Sequence, residues 1–271
     1  MKCTTCFHQC DIPEGGSGFC RARVCRDGRI QPENYGRITS LALDPIEKKP
    51  LHDFYPGSLI LSAGSYGCNL RCPFCQNHEI SQENLQSRSL YISPDQLVAE
   101  AEKYVPEGNI GIAFTYNEPM IGWEYIRDTA RLASKKGLKV VVVTNGTASL
   151  EVLEEILPWV DAFNIDLKGF TDPVYQSYAG SLEQVKAFIQ RAAREAHVEV
   201  TSLIVPGKND SPEQMDQQAA WLASVNPDIP LHITRYFPRW KDTDAPTDIH
   251  RMKELQQVAR RHLSKVYLGN V

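Results

Sequence analysis

Ser58-Leu-Ile-Leu-Ser-Ala-Gly64-Ser-Tyr-Gly-Cys68-Asn-Leu-Arg-Cys72-Pro-Phe-Cys75 decides how this chain is read. Ser58–Ala63 has the length and apolar content of a strand buried on both faces. Glycines then turn the chain, and three cysteines follow at Cys68, Cys72 and Cys75. Thiolates at this density suit an iron–sulfur cluster or zinc. A [4Fe–4S] cluster normally takes four cysteines, so three leave one iron without a protein ligand. An open coordination position is the mark of a catalytic metal rather than a structural one. The alternative is a zinc site completed by His78.

Downstream, short apolar runs alternate with helical patterns, as in repeated βαβ units around a parallel sheet. The runs are Ile110–Phe114, Lys139–Thr144, Ala162–Leu167, Val198–Ile204 and Leu231–Thr234, with a short Val266–Leu268 strand at the end. Ser93/Gln96, Ser181/Gln184 and Ser211/Gln214 each read as a capping box opening a helix. Pro94 and Pro212 stand at first helical positions. The helix near 181–196 collects Leu182, Val185, Ile189, Ala192 and Ala196 on one face, and that near 121–136 collects Trp123, Ile126, Ala130 and Ala133. A last helix is expected over 247–263. Six strands with intervening helices fit an incomplete (β/α) barrel or an open doubly wound sheet. In both, chemistry collects at the C-terminal ends of the strands. The sequence places Thr115-Tyr-Asn-Glu-Pro119, Thr144-Asn-Gly146, Asp166-Leu-Lys168 and Val205–Asp210 at those ends, with His232 and Arg235 around the sixth strand. Arg235, Tyr236, Arg239 and Trp240 read as a surface loop or as a cradle for an anion.

Residues 1–50 have another texture, rich in Cys, Gly, Pro and charge. They are too poor in apolar residues to build a core, and metal ligation would substitute for one. The expected division is a cysteine-rich metal-binding segment, 1–50, and an α/β body, 51–271. Cys3, Cys6, Cys10 and Cys20 offer four ligands, and Cys25 is left over. Gly15, Gly16 and Gly18 permit the tight turns of a metal knuckle. The set suits structural zinc or an auxiliary iron–sulfur cluster. The 271 residues are 42% hydrophobic and 23% charged, ordinary for a globular protein. A net charge of −4 argues against a general nucleic-acid binder. No stretch approaches the roughly 18 apolar residues of a membrane span. Met1-Lys-Cys-Thr-Thr-Cys6 has no apolar signal core, so the expected compartment is the cytoplasm, where thiols stay reduced.

Cys68-x3-Cys72-x2-Cys75 after the first strand of an α/β chain resembles the motif of the radical S-adenosylmethionine (SAM) superfamily. The resemblance implies a partial (β/α)6 TIM-like barrel and a [4Fe–4S] cluster whose open iron is chelated by SAM. Reductive cleavage of SAM would yield methionine and a 5′-deoxyadenosyl radical that abstracts hydrogen from a substrate. From about residue 57 the chain is similar to the activating enzymes of pyruvate formate-lyase type. Phe74 holds the aromatic position before the third cysteine, and Asn77 the downstream asparagine. Tyr116-Asn117-Glu118 stands where the superfamily has Gly-Gly-Glu, which implies that Glu118 accepts from the SAM amino group with Asn117 alongside. Asp166-x-Lys168 matches an Asp-x-Lys whose lysine approaches the SAM carboxylate. Thr144-Asn145-Gly146 matches a turn in which Val143 here replaces an aspartate. His232 falls where a strand-six histidine contacts SAM. Cys75-Gln76-Asn77, Thr115–Pro119 and Asp44-Pro-Ile-Glu-Lys-Lys-Pro50 resemble the AmmeMemoRadiSam system radical SAM protein family most. The implied partners are a reductant such as flavodoxin or ferredoxin, and a substrate. That substrate is either a glycine of a glycyl radical enzyme, making the chain an activase, or a small metabolite or nucleoside. The remaining alternative is a metal-binding interaction protein without catalysis.

Overall fold

The computed structural model describes residues 1–82 and 88–271. The cysteine-rich head folds around an antiparallel hairpin, β1 (Arg23–Arg26) and β2 (Arg29–Pro32). Asp27 and Gly28 at its tip take φ of +52° and +63°, as a two-residue primed hairpin turn requires. β3 (Arg37–Ile38) pairs with the later β6 (Leu90–Tyr91). β4 (Ser40–Pro45) enters the main sheet antiparallel to β5 (Leu59–Gly64). Beyond β5 every pairing is parallel, through β7 (Asn109–Phe114), β8 (Lys139–Thr144), β9 (Ala162–Asp166), β10 (His197–Ile204), β11 (Leu231–Arg235) and β12 (Val266–Gly269).

The order across the sheet is β12-β11-β10-β9-β8-β7-β5-β4. Successive strands are therefore neighbours throughout, and the sheet never reverses at a switch point. That decides between the two architectures the sequence left open, because a doubly wound sheet reverses and a barrel does not. The fold is a partial TIM-like barrel. Its helices are α1 (His78–Ser81), α2 (Pro94–Lys103), α3 (Trp123–Lys135), α4 (Leu150–Ile156), α5 (Asp172–Ser177), α6 (Leu182–Ala192), α7 (Pro212–Val225) and α8 (Ile249–Ala259). Leu97, Ile126, Leu153, Phe188, Leu222 and Leu255 of the longer helices pack on Ile112, Val140, Phe163, Val200 and Ile233 of the strands. Among the described residues no helix is long and apolar enough to cross a membrane.

The barrel interior has its own core, in which Ile60, Ala113, Val141 and Ala162 meet Ile46, Leu51 and Phe54. The last three come from the segment joining β4 to β5, so a loop fills the floor. The same loop reaches the far edge of the sheet. The Asp53 carboxylate accepts from Tyr267 Oη at 2.7 Å and pairs with Lys265 at 2.5 Å. The Glu199 carboxylate accepts from the His52 and Asp53 backbone N–H groups at 3.0 and 2.9 Å. Asn164 Nδ2 donates to the Pro50 carbonyl at 2.8 Å. Residues 46–54 thus seal the seam that the strands leave open.

The expected strands all form, within a few residues of their expected ends. β4 was not expected, and it lies on the N-terminal side of the division at residue 50 while belonging to the sheet. The Ser93 capping box is complete, with Ser93 N donating to Gln96 Oε1 at 2.9 Å. The other two are half made. Ser181 and Ser211 accept from Gln184 N and Gln214 N. The two glutamine side chains, however, donate to the carbonyls of Ala148 and Lys208.

Candidate active site at the barrel mouth

A cavity of about 790 Å³ opens where the parallel strands end, within the range of pockets that hold small ligands and cofactors. Cys68, Cys72, Phe74, Cys75, Gln76, Asn77, Asn117, Glu118, Thr144, Asn145, Asp166 and Lys168 all line it. These come from loops far apart in sequence, and the barrel brings them together.

The cysteine loop is held from beneath. Gly64 lets the Tyr116 turn approach: a Cβ there would lie 2.7 Å from the tyrosine ring. Tyr116 itself takes a left-handed φ of +72°, and its carbonyl accepts from Asn77 Nδ2 at 2.8 Å. Asn117 Oδ1 accepts from Ser65 N, while its Nδ2 donates to the carbonyls of Tyr66, Gly67 and Glu118. Both polar atoms of Asn117 are therefore occupied by backbone, so it shapes the loop instead of offering groups to a ligand. Phe74 is buried edge-on to Tyr178 and Tyr236, at 5.2 and 5.9 Å. Gln76 stands exposed on the rim.

Glu118 sits at the centre of the wall, 3% exposed. Its Oε1 accepts from Thr144 Oγ1 at 2.7 Å and Met120 N at 3.0 Å, and its Oε2 from Asn145 N at 2.8 Å. Burial pushes its carboxyl up to about 7, against the pull of those donors. Asn145 Nδ2 reaches Asn69 Oδ1 at 2.9 Å and lies 3.8 Å from Cys68 Sγ. Across the cavity, Lys168 Nζ meets Asp166 Oδ2 at 2.9 Å. Burial pulls the lysine pKa down, but the neighbouring carboxylate more than reverses it, so the ammonium stays charged. Burial also raises the thiols of Cys68, Cys72 and Cys75, Cys72 to about 11; a metal would have to displace those protons, since its ligands are thiolates.

His232 is not on this wall. It shares the inner face of β11 with Thr234, which does line the cavity, but lies two residues deeper. There it is 3% exposed, with Nε2 2.6 Å from Glu199 Oε2 and its ring beside those of His52 and Tyr267. Its place is the polar floor of the barrel, and the expected contact with SAM is not supported by this position. Sequence reasoning missed Lys48, Lys49, Thr201, Leu203, Thr234 and Asn270, which the wall includes. The doubled lysine of Asp44–Pro50 was the available signal for two of them. Lys49 Nζ pairs with Asp44 Oδ2 at 2.8 Å and lies 4.7 Å from the Tyr116 ring centre, while Tyr116 Oη donates to the same Asp44 oxygen. Arg235 and Arg239 line the cavity as well.

The head packs on the outside of the cysteine loop. Arg71 donates to the Cys68, Leu70 and Phe19 carbonyls, and its guanidinium lies 3.9 Å from the Phe19 ring centre. His8 Nε2 is 2.8 Å from the Asn69 carbonyl, and Cys6 bridges to Ala148. Cys20, Ala22, Tyr66 and Ile121 form a small core at this junction. Among the described residues no three His, Cys, Asp or Glu side chains converge tightly enough to enclose a single ion. The four head cysteines are free thiols, with Cys3, Cys6 and Cys20 buried and Cys10 half-buried. Cys68, Cys72 and Cys75 spread along one wall of a roomy cavity, with no fourth cysteine on it. That donor set fits a multi-iron cluster left open on one iron, with space beside it for a small ligand.

Residues 63–222 match the family model described as the radical SAM superfamily. An uncharacterised protein of Methanocaldococcus jannaschii is 37% identical over 278 residues, covering 100% of this chain and 81% of that protein. A second protein of that organism, provisionally named a glycyl-radical enzyme activating enzyme, is 24% identical over 76% of this chain and 87% of its own length. Pyruvate formate-lyase 1-activating enzyme of Escherichia coli is 26% identical over 53% of this chain and 60% of that enzyme. Among solved structures, a radical SAM methyltransferase from Sphaerobacter thermophilus superposes with a TM-score of 0.60 at 17% identity, over 79% of this chain and 67% of that one.

Proposed function

The chain belongs to the radical SAM superfamily, and from that premise we propose that it removes hydrogen from a substrate held at the barrel mouth. The observation that carries the reading is the set of three thiols, without a fourth, lining the same cavity as Glu118 and Lys168. When bound, a [4Fe–4S] cluster with SAM supplies an electron that cleaves SAM to methionine and a hydrogen-abstracting 5′-deoxyadenosyl radical. Cys68, Cys72 and Cys75 hold the cluster. Glu118, fixed by Thr144 and the Asn145 N–H, receives the ammonium of the bound methionyl group. Lys168, steadied by Asp166, faces its carboxylate. Asn77 and Asn117 hold the loops that carry these groups. Phe74, with Tyr178 and Tyr236, keeps water from the back of Cys72. The electron comes from a low-potential carrier such as flavodoxin or ferredoxin. Ligation of this kind needs reduced thiols, so the cytoplasm is the compartment the reading requires.

The relatives named as activating enzymes support a glycine residue of a partner enzyme as the substrate. The cationic wall of the mouth favours a second reading, a small anionic molecule. The common step is tested directly. Reconstituted protein given SAM and dithionite should form 5′-deoxyadenosine, and Cys72→Ala should form none. Protein with a full cluster that yields no 5′-deoxyadenosine would sink the proposal.

A further inference from the structure

We infer that the mouth holds a small substrate by a dianionic phosphoryl group, gripped by Arg235 and Arg239, with Lys48 lining the same cavity. This rests on the hydrogen-abstraction reading above and names the class of its substrate. The chain carries a net charge of −4, yet five cations and only two carboxylates line the cavity. Two of those cations are already matched, Lys49 by Asp44 and Lys168 by Asp166. Lys48 shares that carboxylate, with its ammonium 3.4 Å from Asp44 Oδ1, while Lys49 and Tyr116 take Oδ2, and its side chain is 66% exposed. Among the described residues neither Arg235 nor Arg239 has a carboxylate partner. Asp242 and Asp244, on the same loop, are not on the wall.

Two arginines without a carboxylate partner, with the exposed and weakly paired Lys48 lining the same cavity, suit a dianion better than a single carboxylate, and arginine forks match phosphate geometry. Between the arginines stands Phe237, 41% exposed and on the same wall. The Arg235 guanidinium lies over its ring, 4.9 Å from the centre, and the rest of the exposed ring offers apolar surface to the uncharged part of the molecule. The loop is fixed rather than floppy. Arg235 Nε donates to the Thr247 carbonyl at 2.8 Å, Thr247 Oγ1 donates to the Ile204 carbonyl at 2.6 Å, and Lys241 N donates to the Pro73 carbonyl at 3.0 Å. Pro73 lies between Cys72 and Cys75, so the arginine loop is tied directly to the cysteine loop. A phosphoryl group held there keeps the rest of its molecule at the thiol end of the cavity, where the hydrogen is to be removed.

Calorimetric titration of the reconstituted, SAM-loaded protein tests this, with phenyl phosphate as the probe and melting temperature as the check on folding. Phenyl phosphate should bind at least tenfold tighter than benzoate or benzyl alcohol. Arg239→Gln should weaken it at least tenfold, Arg239→Lys should recover only part of that loss, and SAM affinity should stay within twofold in both. Benzoate binding as tightly as phenyl phosphate would overturn the dianion. SAM affinity falling in step would assign the arginines to the SAM carboxylate instead. A Glu-Gly-Glu peptide displacing phenyl phosphate at lower concentration would favour a protein substrate and overturn the small one. Calorimetry reads each of these whether or not 5′-deoxyadenosine forms, so failure of the parent reading stays distinguishable.

Discussion

Burying Glu118 raises its carboxyl to about 7 even though three donors hold it. A carboxylate has about four lone-pair sites, which leaves one for an incoming ammonium. Glu118→Gln keeps the shape and removes the charge, and it turns one acceptor into a donor facing Thr144 or the Asn145 N–H. Its affinity for SAM should fall roughly 10- to 100-fold, the worth of a charge-assisted hydrogen bond, with the cluster's absorbance unchanged. Wild-type SAM affinity in that variant would refute the assigned role. Residues such as Glu118, Asp166 and Lys168 were legible in the sequence because polar groups at strand ends have no packing reason to be there. Thr201 and Thr234 were not, because telling the inner face from the outer needs the register of neighbouring strands. The same blindness put His232 at the mouth: it shares the inner face with Thr234, but two residues along a strand is roughly 7 Å of depth.

The cysteine loop is an element shared by two bodies, with the cavity on one side and the head on the other. Gly67 marks the closest approach, with φ of +88° and a notional Cβ 2.7 Å from the Cys20 carbonyl and 2.9 Å from Ala22 Cβ. Gly67→Ala adds left-handed strain to overpacking, and should destabilise the protein by about 2–4 kcal/mol. Urea denaturation should show that loss together with a lower iron content per chain. An unchanged midpoint would mean that the head yields freely. Strands β5 and β7 to β11 were legible because a short apolar run bounded by polar turns is too brief for a buried helix and too apolar for a surface loop. β4 was hidden: it is largely solvent-facing, ends at Pro45, and sits in a stretch whose cysteines and charges dominate its composition. The capping signatures located helix starts correctly, while the reach of Gln184 and Gln214 toward neighbouring loops depended on tertiary structure.

At the scale of the molecule, side chains close the barrel where strands do not, and Glu199 is the clasp. Burial would raise its carboxyl, but His197, His232 and the His52 and Asp53 N–H groups hold it down at about 2, against an ordinary 4.5. A depressed acid stabilises the fold above its unfolded pKa, and that stability is lost as pH falls from about 4.5 to about 2. At 1.36 kcal/mol per unit it amounts to about 3 kcal/mol. Glu199→Gln should lower stability at pH 7 by a similar amount and flatten the acid limb of a pH–stability curve measured by denaturant. An acid limb as steep as wild type would show that other groups carry it. The head adds a matter of timing. Cys6 bridges to Ala148, and Ser149 N donates to the Thr5 carbonyl. At ribosomal rates of about 5–20 residues per second, the head waits roughly 7–30 s for the surface it docks on. The part made first is completed only after half the chain has followed it, and throughout that interval its thiols are open to oxygen, to chaperones and to any metal carrier that meets the nascent chain.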